Sequence, residues 1–430
     1  MNKAVILDGM RTPFLNATKS IAGLTARALG VKPVDALLVK KPELRKAIDC
    51  VVGANVGNQL LPPDGSNIAR LIALDAGIPN EVSARTININ CGSGLEAMID
   101  AVMRVECGLA NCVLVTGVEV MSDYTAFYNR KQRPLLQKKK YLPRVRMPKW
   151  QKMPAQLAVS TKVACMSHDP LWMIETGLTD PYCQLGMDKI GDALAQKYGI
   201  DRKELDLFAL LSQRKAAAAK NSGRLNKEIT WYVSKNADPA TFDNGIREDA
   251  NMNGLAKLRP LNPGGTVTPG NASQISDGAA ALIVANKGWV SSMGWQPMAA
   301  VHSVNTVALG CEPSEMGLGP AFAIARLLNR DGKPYYKLND FGLIETNEAF
   351  ASVPIAQSRQ LEKLGFGEFD WSRVNPNGGA IAIGHPVGAS GVRLALTAAM
   401  ELSLRGDLER ALVTLCVGGG QGVAAILEKP

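Results

Sequence analysis

The stretch Ala84-Arg85-Thr86-Ile87-Asn88-Ile89-Asn90-Cys91-Gly92-Ser93-Gly94-Leu95 changes its hydrophobic period part-way along. Up to Asn90, Ile87 and Ile89 alternate with Thr86, Asn88 and Asn90, a period of two that suits a strand. Beyond it, Leu95, Met98, Ile99 and Val102 recur at helical spacing, with Ala97 and Ala101 between them to permit close packing. Cys91 therefore sits where a strand turns into a helix. Unpaired amides and the positive dipole end at such a point favour thiolate over thiol and supply donors to a developing oxyanion. Taken alone, Cys-Gly-x-Gly reads more simply as a buried cysteine beside a tight turn, so partners elsewhere must decide.

Outward from this junction, strands alternate with helices. Lys3 to Leu7, Ile48 to Val52 and Cys112 to Gly117 read as strands, and Asn67 to Ala76 as a helix. Ser20 to Leu38 is helical in composition but broken by Gly23, Gly30 and Pro33. Strands apolar on both faces argue an α/β layered core. From about Met298 the pattern recurs, and Asp277 to Ala285 resembles Gln421 to Glu428, so two similar halves are expected. The division is 1–123 completed by 250–289, an inserted loop domain 124–249, and 290–430.

The formal charge of +9 is local. Tyr124 to His168 holds no Asp or Glu but eleven Lys and Arg, leaving 37 basic against 39 acidic residues elsewhere. That argues against nucleic acid as a partner; a solvated loop face is the plain explanation of the segment. No stretch is expected to span a membrane, and Met1 to Leu7 runs directly into Asp8 and Arg11 without the apolar region of a secretory leader. The eight cysteines lack paired spacing, so reduced thiols in a cytoplasm-like compartment are expected. Cys107 and Cys112 have no histidine nearby to build a zinc site, and no metal is expected.

Three later stretches combine reactive residues with glycine or a strand end: Asn347-Glu348-Ala349-Phe350-Ala351, the loop Asn377 to Gly391 with His385, and Leu415-Cys416-Val417-Gly418-Gly419-Gly420. Each has a plain alternative: a turn asparagine, a surface histidine, a core cysteine, a tight turn. All four motifs nevertheless fall at strand ends, where layered α/β folds bind ligands. Together with Gly9 to Phe14 and Asn271-Ala272-Ser273, they resemble the thiolases, the acetyl-CoA acyltransferases. The resemblance covers almost the whole chain.

It implies a five-layer α/β/α/β/α sandwich of two βαβαβαββ halves, and cleavage of a 3-ketoacyl-CoA by CoA through a cysteine acyl-enzyme. By resemblance Cys91 is the nucleophile, His385 its base, Asn347 the holder of an oxyanion water, and Cys416, taken as the counterpart of Cys91 in the second half, the acid and base at carbon. The amides of Cys91 and Gly418 form a second oxyanion hole. Ser273 contacts the pantetheine, and Met187 and Phe350 line the substrate pocket. CoA is a co-substrate, with no permanently bound cofactor. A homodimer or homotetramer is implied; the location expected from the cysteines and the basic segment is cytoplasmic or peripheral at a membrane.

The family's usual Met-Gly-x-Thr-Ala-Glu reads Met187-Asp188-Lys189-Ile190-Gly191-Asp192 here. The basic segment 124–168 resembles insertions in thiolase subunits of fatty-acid oxidation complexes, which favours degradation of longer acyl chains. CoA phosphates, a membrane surface and a partner subunit are its candidate partners. The alternatives are a biosynthetic acetoacetyl-CoA thiolase, a non-catalytic acyl-CoA- or lipid-binding relative, and a decarboxylating ketoacyl synthase. Cys416, where the synthases place a second histidine, counts against the last.

Overall fold

Strands apolar on both faces and amphipathic helices follow one another along the chain. In order they are β1 (Ala4–Arg11), α1 (Ala26–Lys40), β2 (Cys50–Ala54), α2 (Ile68–Asp75), β3 (Ser83–Ile87), α3 (Ser93–Glu106), β4 (Cys112–Val120), α4 (Met187–Lys197), α5 (Arg202–Asn221), β5 (Ser276–Asn286), β6 (Ala299–Ala308), α6 (Gly319–Leu328), β7 (Leu343–Thr346), α7 (Ser352–Lys363), α8 (Val387–Leu404), β8 (Arg410–Val417) and β9 (Gln421–Glu428). The computed structural model describes residues 2–17, 24–58, 65–127, 137, 139–140, 148–164, 171–231, 240–308, 313–330 and 333–430.

The strand order is β7-β8-β9-β6-β1-β5-β4-β2-β3. β2 pairs in parallel with β3 and β4, and β7 with β8, whereas β5 and β9 run antiparallel to both their neighbours. β1 and β6 are joined through Val5 opposite Ala300 and Ile6 opposite Ala299, a short seam between two half-sheets. Between the half-sheets, Leu95, Met98 and Val102 of α3 and Leu394, Ala395 and Ala398 of α8 share one core with Val113 and Val115 of β4 and Val413 and Leu415 of β8. α1 and α2 cover the outer face of the first half through Val34, Leu37, Ala69 and Ile72. α6 and α7 cover that of the second through Ala321, Ile324, Leu328 and Leu361. The layers are α/β/α/β/α.

Each half ends in an antiparallel pair, β4 with β5 and β8 with β9, as the likeness of Asp277–Ala285 to Gln421–Glu428 predicts. Topologically α3 and α8 are then equivalents, so the counterpart of Cys91 is His385, which precedes α8, rather than Cys416. The two helices meet backbone to backbone: a Cβ at Gly391 would lie 2.2 Å from Leu95 N, and one at Gly94 2.8 Å from Val392 N. Only glycine fits at such a crossing, and it brings the two helix N-termini together.

Four expectations need amendment. α1 runs unbroken through Gly30 and Pro33, because Gly30 seats against Ile72 and burial of Val31, Val34, Leu37 and Leu38 outweighs the hydrogen bond lost at the proline; Gly23 lies outside the described residues. α8, contrary to expectation, is apolar and long enough to cross a membrane by composition, but it is the central core helix and 89% buried. β3 stops at Ile87 rather than Asn90. The segment 124–249 does not form one body: Tyr124–Thr179 is one compact unit, and Met1–Asp123 with Asp180–Pro430 the other. In the smaller unit Ala126–Phe127 pairs with Leu171–Trp172, and Lys149–Ala164 is helical. In the larger, α4 and α5 place Ile190, Leu194, Leu205 and Ala209 in a core with Met316, Leu318 and Cys416. Of the basic residues in 124–168, Arg130, Lys131, Arg133, Lys138, Arg144 and Arg146 lie outside the described residues.

Candidate active site

The C-terminal ends of β3, β7 and β8 and the N-termini of α3 and α8 meet at one place. After β3 the alternation ends because Ser93 closes an elbow: its Oγ accepts from Ile89 N at 2.9 Å and donates to Asn90 O at 2.6 Å. Asn90 takes up a left-handed conformation, φ 54°, tolerable for asparagine, and its Nδ2 donates to Gly418 O at 3.2 Å. Cys91, partly exposed, follows immediately, and its sulfur is within reach of the N–H groups of Cys91 itself and Gly418. Gly418 belongs to the glycine turn between β8 and β9, and Cys416, fully buried, ends β8. The structure thus brings Cys91, Cys416 and Gly418 together.

His385 and Asn347 form the second group. Asn347 follows β7, its N–H bonded to Thr414 O on β8 at 3.1 Å. Its Nδ2 lies 3.3 Å from His385 Nε2. Ser390 Oγ donates to Pro386 O at 2.9 Å, so towards His385 Nδ1, 2.6 Å away, it accepts. The proton is therefore assigned to Nδ1, and Nε2 keeps its lone pair for a proton taken within the site. Asn347 Oδ1 is buried with no hydrogen-bond partner among the described residues. Beneath the loop, Asp243 takes Arg11 through paired bonds of 2.7 and 2.9 Å and accepts from Phe14 N at 2.7 Å. Phe14 packs in one cluster with Ala382, Ile383 and Ala389, which flank His385. That is the physical use of the Gly9–Phe14 stretch.

Burial dominates the electrostatics. It pushes the Cys91 thiol up to about 11 despite the two amides, so the helix terminus does not yield a resting thiolate as sequence reasoning expects. Burial, with Arg393 adding to it, draws His385 down to about 4. Cys416 is held protonated well above the usual thiol range by burial and by the nearby Cys91. The site rests at neutral pH as two thiols and a neutral imidazole, ready to transfer protons within itself.

Since Ser390 sets the imidazole tautomer, Ser390→Ala is expected to lower kcat about tenfold to hundredfold with KM for CoA unchanged. Steady-state thiolysis checks this; an equal change in KM would assign Ser390 to substrate binding instead.

A cleft of about 300 Å³ opens beside the site, lined by Arg247, Asn251, Leu255, Leu258, Pro269 and Gln274 among others. A second, of about 350 Å³, shares Arg247, Asp249 and Gln274 with it. Ser273 precedes Gln274 of the cleft lining, and its N–H is bonded to Ala349 O, two residues from Asn347, at 2.9 Å. Phe350 packs against α4, where a Cβ at Gly191 would come 3.0 Å from its ring, and with Met187 it belongs to the apolar core that holds Cys416.

The sequence profile of the thiolase N-terminal domain matches residues 4–288, and that of the thiolase C-terminal domain matches 295–429. The chain belongs to the thiolase family. A probable acetyl-CoA acetyltransferase of Escherichia coli (strain K12) is 36% identical and a beta-ketoadipyl-CoA thiolase of Escherichia coli 37% identical, each over the full length of both chains. The crystal structure of human mitochondrial 3-ketoacyl-CoA thiolase in complex with CoA aligns with a TM-score of 0.84 at 32% identity, over 100% of this chain and 98% of that one.

This thiolase is an acyltransferase whose family uses CoA as substrate. Arg247, which sequence reasoning did not single out, is exposed in the cleft beside Asp249 with no carboxylate partner among the described residues. Its signal was weak, since Arg247-Glu248-Asp249 reads as an ordinary solvated turn. In the divergent box, Asp192 holds a loop in place. Its carboxylate accepts from Thr266 N at 2.7 Å, Val267 N at 2.8 Å and Asn262 Nδ2 at 3.0 Å, shaping the segment that leads to Ser273.

Proposed function

We propose that this thiolase works in the degradative direction, splitting a 3-ketoacyl-CoA with CoA into acetyl-CoA and a shortened acyl-CoA, as in fatty-acid β-oxidation. The observation that carries the reading is the grouping of Cys91, Cys416 and the Gly418 amide, together with a His385–Asn347 pair placed just before α8, the helix that crosses α3. His385 Nε2 takes the proton of Cys91, whose sulfur attacks the 3-keto carbon. The amides of Cys91 and Gly418 serve one oxyanion, and His385 with Asn347 another, each well-placed donor contributing about 2.7–4 kcal/mol. When the C2–C3 bond breaks, its electron pair leaves as the acetyl-CoA enolate, and Cys416 protonates C2. The acyl group stays on Cys91. Incoming CoA gives its thiol proton to the Cys416 thiolate and attacks the thioester, and Cys91 leaves and recovers its proton from His385. Ser273, Met187 and Phe350 would hold the pantetheine and the acyl chain, and Arg247 a phosphate.

Thiolysis rates across acetoacetyl-, 3-ketoadipyl- and 3-ketohexadecanoyl-CoA test this reading, with the long chain expected to be cleaved at least as fast as the others. A strong preference for the four-carbon substrate would favour the second reading, a biosynthetic thiolase, which whole-length similarity to acetyl-CoA acetyltransferases supports. The edge strand β3 alternates between exposed and half-buried residues, unlike the buried strands beside it. We infer that a second copy pairs along it. Sedimentation giving a monomer at micromolar concentration would refute that.

A further inference from the structure

We propose that Glu119 is a positioning residue for the reaction: its carboxylate fastens the loop that supports Cys91 to the first turn of the helix that follows His385. Alternation along β4 puts Glu119 on the same face as Val113 and Val115, towards the central helices, and it is fully buried. A carboxylate in that position must be met by donors. Its Oε1 accepts from Gly57 N at 2.9 Å and Asn55 Nδ2 at 3.2 Å; its Oε2 accepts from Val56 N and Gly388 N, both at 3.0 Å.

The two sides of this junction lead to different catalytic groups. Gly388 lies in the first turn of α8, whose N-cap, Pro386, makes no side-chain cap. Glu119 caps that turn from 269 positions away, where a carboxylate also meets the positive end of the dipole. On the other side, Asn88 Nδ2 donates to Val56 O at 3.2 Å, and Asn55 N to Ile87 O at 3.4 Å, immediately before the Cys91 elbow. The contact is tight: a Cβ at Gly388 would lie 2.7 Å from Val118 O and 2.9 Å from Glu119 Oε2. The charge of Glu119 also adds to the cost of ionising Cys91, which holds the proton there until His385 takes it.

The inference rests on Cys91 as nucleophile and His385 as base. Glu119→Gln keeps the shape but turns one acceptor into a donor facing backbone N–H groups. Its kcat for thiolysis is expected to fall at least tenfold with KM for CoA within twofold. The pH–rate profile for alkylation of Cys91 by iodoacetamide, followed on its own peptide by mass spectrometry, is expected to move to lower pH. A wild-type kcat, or a fallen kcat with an unmoved alkylation profile, overturns the proposal. Should that variant fail to fold, Asn55→Ala, which removes one donor and leaves the carboxylate, decides: at least a threefold loss of kcat at constant KM supports the junction, and an unchanged kcat overturns it. Cys91→Ala measured alongside separates the two levels, because its activity bears on the site assignment alone.

Discussion

Cys91→Ala is expected to lower thiolysis roughly ten-thousandfold while the protein remains folded, because the acyl carrier is lost and no other group at the site can replace it. Cys416 is fully buried, and His385 is held by Ser390 and Asn347. A 3-ketoacyl-CoA incubated with the variant should leave no acyl group on the protein by mass spectrometry. Undiminished turnover would remove the covalent account altogether. Cys91 sits in a turn at a helix start, and alanine there removes one sulfur atom, so unfolding is not the expected cause of the loss.

Cys416→Ser should divide the reaction at a different point. Acylation of Cys91 from a saturated acyl-CoA needs only Cys91, His385 and the oxyanion donors, so it is expected to persist within about tenfold. C–C cleavage needs an acid at C2, and a hydroxyl is too weak in either direction, so complete thiolysis is expected to fall at least about a thousandfold. Exchange of the acetyl-CoA methyl protons in deuterium oxide, read by mass spectrometry, should fall in parallel. Lost acylation together with retained exchange would invert the roles of the two cysteines.

The sequence pointed to the candidate reacting groups because each carries its signal locally: Cys91 between two hydrophobic periods, His385 in a glycine loop, Cys416 at the end of an apolar strand. The layers were legible for the same reason, since β4, β5, β8 and β9 are apolar on both faces. What was not legible depends on chain segments far apart in sequence. That His385 corresponds to Cys91 follows from α3 and α8 preceding equivalent antiparallel pairs, β4–β5 and β8–β9, that lie far apart in the sequence. The membership of α4 and α5 in the core follows from Met316, Leu318 and Cys416, none of them near in sequence. The thiol's state was misjudged because local reasoning sees the helix amides but not the depth of burial that overrides them. Glu119 was invisible because the partners described above come from two segments far from it in sequence, and an isolated Glu in an apolar strand carries no motif.

The bare crossing of α3 and α8 has a consequence for quality control. The proposed nucleophile and base are supplied by different halves of the chain, and the helices that follow them meet where two glycines let one backbone rest on the other. A molecule whose halves have each folded but docked a fraction of an ångström apart would keep its secondary structure and its solubility, yet be chemically silent. Turnover by this protein is therefore a census of correctly closed molecules, finer than any measure of how much of the chain is folded.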